Sequence, residues 1–201
     1  MTKTFALALA AAASVAFAAP AFAQSSDPAG KTIESFDAAL IKTLQAGKSA
    51  GPQGRAKVIG PAVEQAFDLD FMVRTAVGQA WAKMSTDEQA SLAAAYKKFA
   101  IANYAKNFDN YSGQKLNLDG PVQDRGGDKL VKTRLTGGGS DVALAYRMRN
   151  SGGTWKIIDV YYNGSISQLT TQRSDFASTL ASGGAKALVA KLDTQTDKLL
   201  K

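Results

Sequence analysis

Three neighbouring segments decide the fold: Lys129–Thr136 (KLVKTRLT), Asp141–Asn150 (DVALAYRMRN) and Thr154–Tyr162 (TWKIIDVYY). Each has the length of a strand, and they are separated by Gly137-Gly138-Gly139 and Ser151-Gly152-Gly153. Glycine takes positive φ without steric penalty, as tight antiparallel turns require, so the spacing predicts a meander. Alternation is plainest in the second segment. Val142, Leu144, Tyr146 and Met148 point one way, and Arg147 and Arg149 the other. A further strand is expected over Gln114–Gln123, before the turn Arg125-Gly126-Gly127. In the last strand Ile158, Val160 and Tyr162 fall on one face, and Trp155, Ile157, Asp159 and Tyr161 on the opposite one. Both faces are largely apolar, so both are expected to be covered.

Helices flank this sheet in the chain. Asp27-Pro28 reads as a cap followed by proline in the first turn, opening a helix to about Gln45 with Ile33, Phe36, Leu40 and Leu44 on one stripe. Ala46–Gly54, with three glycines and a proline, reads as a loop, and a shorter helix follows over about Arg55–Phe67. Asp68 or Asp70 caps a third helix, in which Val73, Val77 and Trp81 align four apart. Ser85 and Glu88 have the spacing of a capping box and open a long helix from Thr86 to about Asn110. Its apolar stripe changes sides midway: Leu92, Ala95, Tyr96 and Phe99 share one face, and Ile101, Tyr104, Phe108 and Tyr111 a roughly opposite one. Such a helix is covered by different layers at its two ends. After the sheet, Ile166, Leu169, Phe176 and Leu180 stripe a helix that ends at Gly183-Gly184, and Leu188, Leu192 and Leu199 stripe another. Helices, a meander of about four strands and helices again define an α+β fold.

The first 23 residues read differently. Met1-Thr2-Lys3 is followed by an uncharged apolar run, Phe5–Ala19, and by Pro20-Ala21-Phe22-Ala23. These are the parts of a secretory signal, with cleavage expected between Ala23 and Gln24. The run is too short and alanine-rich for a transmembrane anchor, which needs about 20 apolar residues. The chain has no cysteine, so there is neither a lipoprotein attachment site at the cut nor a disulfide framework. Residues 24–201 are expected to form a single exported domain resting on packing alone, long enough to build a core and enclose a cavity. Formal net charge is +7, of which the leader holds one lysine and no acid, leaving +6. A basic excess suits an acidic partner. Export argues against nucleic acid, and the scattered Lys and Arg suit either plain solubility or an anionic lipid surface.

Two absences narrow the chemistry. Without histidine or cysteine the chain has no Ser-His-Asp or Cys-His catalysis, and nearly all protein zinc sites are excluded. Asp68, Asp70, Asp87 and Glu88 sit where helices begin, as capping and the helix dipole favour. Asp159 lies among Trp155, Ile157 and Tyr161 and needs hydrogen bonds or a cation there. It reads as a structural acceptor or ion-pair partner; a catalytic acid of raised pKa is the alternative. No phosphate-binding loop, dinucleotide fingerprint or EF-hand loop is present. The aromatic residues Tyr96, Phe99, Tyr104, Phe108, Tyr111, Tyr146, Tyr161 and Tyr162 are core by default, or in part the wall of a cavity for an apolar ligand.

Two blocks of residues resemble the MlaC family, also called the toluene-tolerance auxiliary family. The first is Phe67-Asp68 through Gly78 and Trp81, then Gln89, Phe99, Tyr104 and Tyr111-Ser112-Gly113. The second is Tyr146, Gly153-x-Trp155-Lys156-Ile157-Ile158-Asp159-Val160, Gly164, Arg173-Ser174-x-Phe176, Gly183 and Leu188. The resemblance covers nearly all of the chain after the leader. It departs from the family pattern at Asn163-Gly164-Ser165-Ile166-Ser167, which carries one extra residue. Together with Thr170–Ser174, that variant is more like the hopanoid-biosynthesis-associated branch.

The resemblance implies a periplasmic carrier, not an enzyme, in which a twisted antiparallel sheet and helices enclose an apolar lipid cavity. The cargo would be phospholipid acyl tails or a hopanoid, with no cofactor. Its partners would be an inner-membrane transporter of the ABC type carrying MCE domains and an outer-membrane lipoprotein complex, and the carrier would work as a monomer. The expected cavity wall is Val73, Val77, Trp81, Tyr104 and Phe108 from helices, with Val142, Leu144, Tyr146, Met148, Ile158, Val160 and Tyr162 from the sheet. The opposite sheet face, with Trp155, Ile157 and Tyr161, is the alternative lining. Two other functions compete: an exported enzyme using Asp159 as acid, and an interaction module whose apolar interior is only a core.

Overall fold

The computed structural model describes residues 25–201; the expected leader and the cleavage point after Ala23 lie outside them. Helix α1 (Pro28–Ala46) begins as the cap predicts, with the Asp27 carboxylate accepting from the Ala29 N–H at 2.8 Å. Its stripe of Ile33, Phe36, Leu40 and Leu44 is buried. The loop expected over Ala46–Gly54 is shorter. A 3₁₀ turn (Lys48–Ala50) leads into α2 (Gly51–Ala66), because Pro52 sits in a first turn, where its missing N–H is not needed. Arg55 of α2 is buried; its Nε donates to the Ala105 carbonyl at 2.7 Å and its Nη1 to the Gly47 carbonyl at 2.8 Å.

Asp68 caps α3 (Leu69–Val77) by accepting from the Phe71 N–H at 2.9 Å. Gly78, at φ 66°, ends that helix and a 3₁₀ segment (Gly78–Lys83) follows. The fourfold spacing from Val73 therefore does not carry on to Trp81. Both bonds of the Ser85–Glu88 capping box are formed at the start of α4 (Thr86–Asn107). The change of face along α4 is real. Tyr96 meets Phe176 edge to face at 6.3 Å, whereas Tyr104, two turns on, meets Phe36 at 5.3 Å and Phe67 at 5.6 Å. Tyr111 lies beyond the helix end and is exposed.

The sheet has six strands, all antiparallel: β1 (Lys115–Leu118), β2 (Gln123–Arg125), β3 (Asp128–Thr136), β4 (Val142–Ser151), β5 (Thr154–Tyr162) and β6 (Ile166–Ser167). Their order is β1-β3-β4-β5-β6, with β2 also on β3. The single strand expected over Gln114–Gln123 is thus two short ones along the same edge of β3. It breaks at Asp119-Gly120-Pro121, where Gly120 takes φ 92° and proline has no N–H to give the ladder. Ile166, expected on a helical stripe, belongs to β6 and is exposed. Helix α5 (Gln168–Leu199) follows and breaks at Gly184 (φ 62°, ψ −158°), as the Gly183-Gly184 stop predicts.

A β-bulge changes the reading of β5. Arg147 pairs with Asp159, but Met148 pairs with Ile157, so Ile158 is an extra residue. Paired residues share a face, and a bulge interrupts simple alternation. Ile157 therefore joins Met148, Tyr146 and Val160 on the helix-covered face, together with Trp155, instead of opposing them. The other face carries exposed Lys132, Arg134 and Arg147. The expectation that both faces are covered fails because strict alternation had credited that face with Trp155 and Ile157. Asp128 is buried beneath Arg147 and Arg149, which donate to it at 2.7–2.9 Å. Hydrogen bonds from Arg149, reinforced by Arg147, hold its carboxyl below the usual carboxylate range.

One contiguous core joins the helices to this sheet. It contains Phe36 of α1, Val63 of α2, Val73 of α3, Leu92 of α4, Tyr146 and Ile157 of the sheet, and Leu188 of α5. One group within it is anomalous. The Asp37 carboxyl is buried, and its Oδ1 has no hydrogen-bond partner among the described residues. Burial, with Glu34 nearby, pushes its pKa up to about 8. Between the ordinary aspartate value of 3.8 and about 8 the folded chain keeps a proton that the unfolded chain releases, so stability falls as pH rises through that window. Asp37→Asn should match the parent near pH 4 and be more stable by about 2–4 kcal/mol near pH 8, at no more than about 1.4 kcal/mol per pH unit. Urea unfolding at pH 4, 6 and 8 measures this; identical pH slopes for the two proteins would contradict it.

Candidate functional site

A cleft of about 760 Å³ opens between the far ends of β3–β5, the C-terminal half of α4 and both halves of α5. The sheet supplies its apolar floor through Leu135, Val142, Leu144, Tyr146, Val160 and Tyr162. These belong to one face because they are paired across strands: Leu135 with Val142, Leu144 with Tyr162, and Tyr146 with Val160. Helix α4 and its C-cap residue contribute Phe99, Tyr104 and Phe108, together with Asn103 and Asn107. Tyr162 and Ile166 are 51% and 58% exposed, so the cleft reaches solvent over apolar side chains.

The inner end is closed by aromatic rings. Tyr104 lies against Phe36, Phe67 and Phe108, the last at 6.0 Å, and Tyr146 lies 6.3 Å from Phe36. Burial raises the pKa of both phenols above the ordinary value, so they remain neutral hydroxyls. Opposite this floor α5 presents a polar series, Gln168, Thr171, Gln172 and Asp175 from its first half and Lys191 and Gln195 from its second. The break at Gly184 folds the helix back so that both halves reach one wall: the Lys191 Nζ donates to the Asp175 carbonyl at 3.1 Å and to the Thr179 hydroxyl at 3.2 Å.

Of the twelve side chains expected to line a cavity, the structure brings seven together on this cleft: Tyr104, Phe108, Val142, Leu144, Tyr146, Val160 and Tyr162. The other five lie elsewhere. Val73 and Val77 are packed in the core, Trp81 lies against it on the 3₁₀ segment after Gly78, Met148 is fully buried under the helices, and Ile158 is the bulge residue. The alternative lining, Trp155, Ile157 and Tyr161, does not reach the cleft either. Those missed from the sequence include Leu44, Leu135, Asn103, Asn107, Ile166 and the polar residues of α5. Leu135 continues the alternation of β3 and was there to be read, whereas the polar wall depends on how α5 folds back.

Asp159 is a structural acceptor. Its Oδ1 accepts from the Val160 N–H at 2.8 Å and the Leu169 N–H at 3.0 Å, and its Oδ2 from the Ser167 hydroxyl at 2.6 Å. It thereby ties β5 to the first turn of α5, and it does not line the cleft. Among the described residues no cluster of acidic side chains could hold a metal ion.

Fold and cleft together define a class: an α+β protein whose helices and open antiparallel sheet enclose an apolar-floored cavity. The sequence profile of the family described as MlaC protein matches residues 34–194, and the chain belongs to that family. Among solved structures, a phospholipid-binding protein from Ralstonia solanacearum, determined in complex with a phospholipid, superposes with a TM-score of 0.74. It covers 85% of this chain and 97% of that one at 22% identity, which is a likeness of fold. No functionally curated protein matches the sequence.

The three bonds to Asp159 make its removal costly in stability. Asp159→Ala should lower the unfolding free energy by about 1–3 kcal/mol, the range for a lost cap with a buried donor left unpaired. Chemical denaturation measures this; a variant as stable as the parent would show that α5 does not depend on the cap.

Proposed function

We propose that this chain is a periplasmic carrier that holds a membrane lipid in the cleft between α4, α5 and the sheet. The observation that carries the reading is the cleft itself, large, apolar along its floor and reached over the exposed side chains of Tyr162 and Ile166. Family membership and the phospholipid held by the structural relative support it. So does the absence of any helix, among the described residues, long and apolar enough to cross a membrane.

The energetics call for an apolar site. Withdrawing one methylene from water is worth about 0.8 kcal/mol, so an acyl chain of about 16 carbons represents roughly 12 kcal/mol. A carrier must replace almost all of that apolar environment, or the lipid stays in its bilayer. Polar groups are needed only where the headgroup emerges, and the polar face of α5 is suited to that place. In this reading the signal is cleaved after Ala23, and residues 24–201 act as a monomeric shuttle. Its docking partners are the MCE-domain transporter complex of the inner membrane and the lipoprotein complex of the outer membrane. Phospholipid and hopanoid are the two cargoes considered, and catalysis is not part of the proposal.

Purified from the periplasm under mild conditions and extracted with organic solvent, residues 24–201 should yield lipid in near-stoichiometric amount. The apo protein should also take lipid from vesicles. Val142→Trp and Leu144→Trp put bulk into the cleft and should cut bound lipid several-fold while the far-ultraviolet dichroism stays unchanged. Lipid-free protein that also fails to take lipid from vesicles would overturn the reading, as would undiminished uptake by both filled variants.

A further inference from the structure

The sheet face turned away from the helices carries much of the positive charge of the chain. Pairing and alternation place Lys115 of β1, Arg125 of β2, Lys132 and Arg134 of β3, and Arg147 and Arg149 of β4 on it. Four of the seven arginines of the sequence are among them, and all six cations but Arg149 are exposed. Three carboxylates stand on or beside the same face. Asp119 meets Arg134 at 2.6 Å, and the one carboxylate of Asp128 is shared by Arg147 and Arg149. Asp159 is engaged in tying β5 to α5. None of the ion pairs among the described residues involves Lys115, Arg125 or Lys132. Six cations against three carboxylates leave the face strongly basic, and Asp128 holds two of its guanidinium groups in place.

Charge calls for an acidic partner, and the other side chains say of what kind. A protein interface is anchored at its centre by buried aromatic or aliphatic side chains. This face offers no such anchor. Of the exposed large apolar residues, Val58 is on α2, Tyr111 precedes β1, and Tyr162 and Ile166 line the cleft. Between the cations stand only the half-buried Leu130 and Ala143. Flexible cations on an open sheet need no matching contour, only a dense layer of negative charge, and guanidinium groups pair well with phosphate oxygens. We propose that the outer face of the sheet is a docking surface for anionic phospholipid bilayers, on which the protein adsorbs by charge without inserting. The floor of the cleft is the opposite face of the same strands. Adsorption is therefore separate from occupancy of the cleft, and the inference stands whether or not the cleft holds lipid.

Vesicle flotation tests it, with dioleoyl phosphatidylglycerol and dioleoyl phosphatidylcholine in equal parts, beside vesicles of phosphatidylcholine alone. At about 0.1 M salt, where the Debye length is about 10 Å, residues 24–201 should bind the mixed vesicles at least about tenfold more tightly. The difference should vanish near about 1 M salt. Lys115→Gln with Lys132→Gln should weaken binding to the mixed vesicles by about 25-fold, about fivefold for each cation. Lys57→Gln with Lys186→Gln removes the same charge from exposed positions on α2 and α5, and should change binding by less than about twofold. Both double variants should keep the unfolding midpoint of the parent, since all four lysines are exposed. A parent that shows no preference for the mixed vesicles, or equal losses in the two double variants, overturns the proposal. Salt-sensitive retention on immobilised polyglutamate without binding to the mixed vesicles also overturns it, and assigns the face to an acidic protein surface.

Discussion

Phe36 stands with its ring edge-to-face or nearly so against Phe67, Tyr104 and Tyr146, at centroid distances of 5.1, 5.3 and 6.3 Å. Those partners come from the α2–α3 junction, from α4 and from β4, so one side chain of α1 touches three other parts of the fold. Edge-to-face rings are stiff and attractive beyond their buried area. Tyr104 and Tyr146 belong both to this cluster and to the wall of the cleft. Core and cavity are therefore not separate constructions. The rings hold helices and sheet apart at one end, and past Phe108 and the tips of β4 and β5 the same separation continues as the cleft.

The second determinant is parity. In a sheet a shift of one residue moves every following side chain to the other face, and the bulge at Ile158 makes that shift within β5. Strict alternation read backwards from Tyr162 is correct to Val160 and inverted before it. This explains why Val160 and Tyr162 were legible as wall residues while Ile158 was not, and why Trp155 and Ile157 were assigned to the wrong face. A bulge has no reliable mark in a run such as Lys156-Ile157-Ile158-Asp159. The break between β1 and β2 did have one, in Gly120-Pro121, and reading Gln114–Gln123 as continuous overlooked it.

Caps were the most legible feature of the chain because they are local chemistry. Asp27, Asp68 and the Ser85–Glu88 box each act within four residues, and the structure forms all of them. The change of face in α4 was legible for the same reason, since helical periodicity needs no knowledge of the partners. The wall contributed by α5 was not. Lys191 and Gln195 look like ordinary solvent-facing residues until Gly184 folds their helix back beside Asp175 and Thr179. Trp81 failed in the opposite sense, because Gly78 ended the helix on which its spacing had been counted. Long-range consequences of a single glycine dihedral do not show in local pattern.

The two edges of the sheet have a property in common. On one side β1 and β2 are short pieces separated by Asp119-Gly120-Pro121. On the other, β6 covers only Tyr161 and Tyr162, and Phe67 bridges to Ile157 farther along β5. Neither edge offers an approaching strand a long uninterrupted row of free N–H and C=O groups, which is what edge-to-edge association requires. A protein with an open apolar cleft is already adhesive, and one with a free ladder beside that cleft could recruit copies of itself. The interrupted border keeps stickiness confined to the cleft.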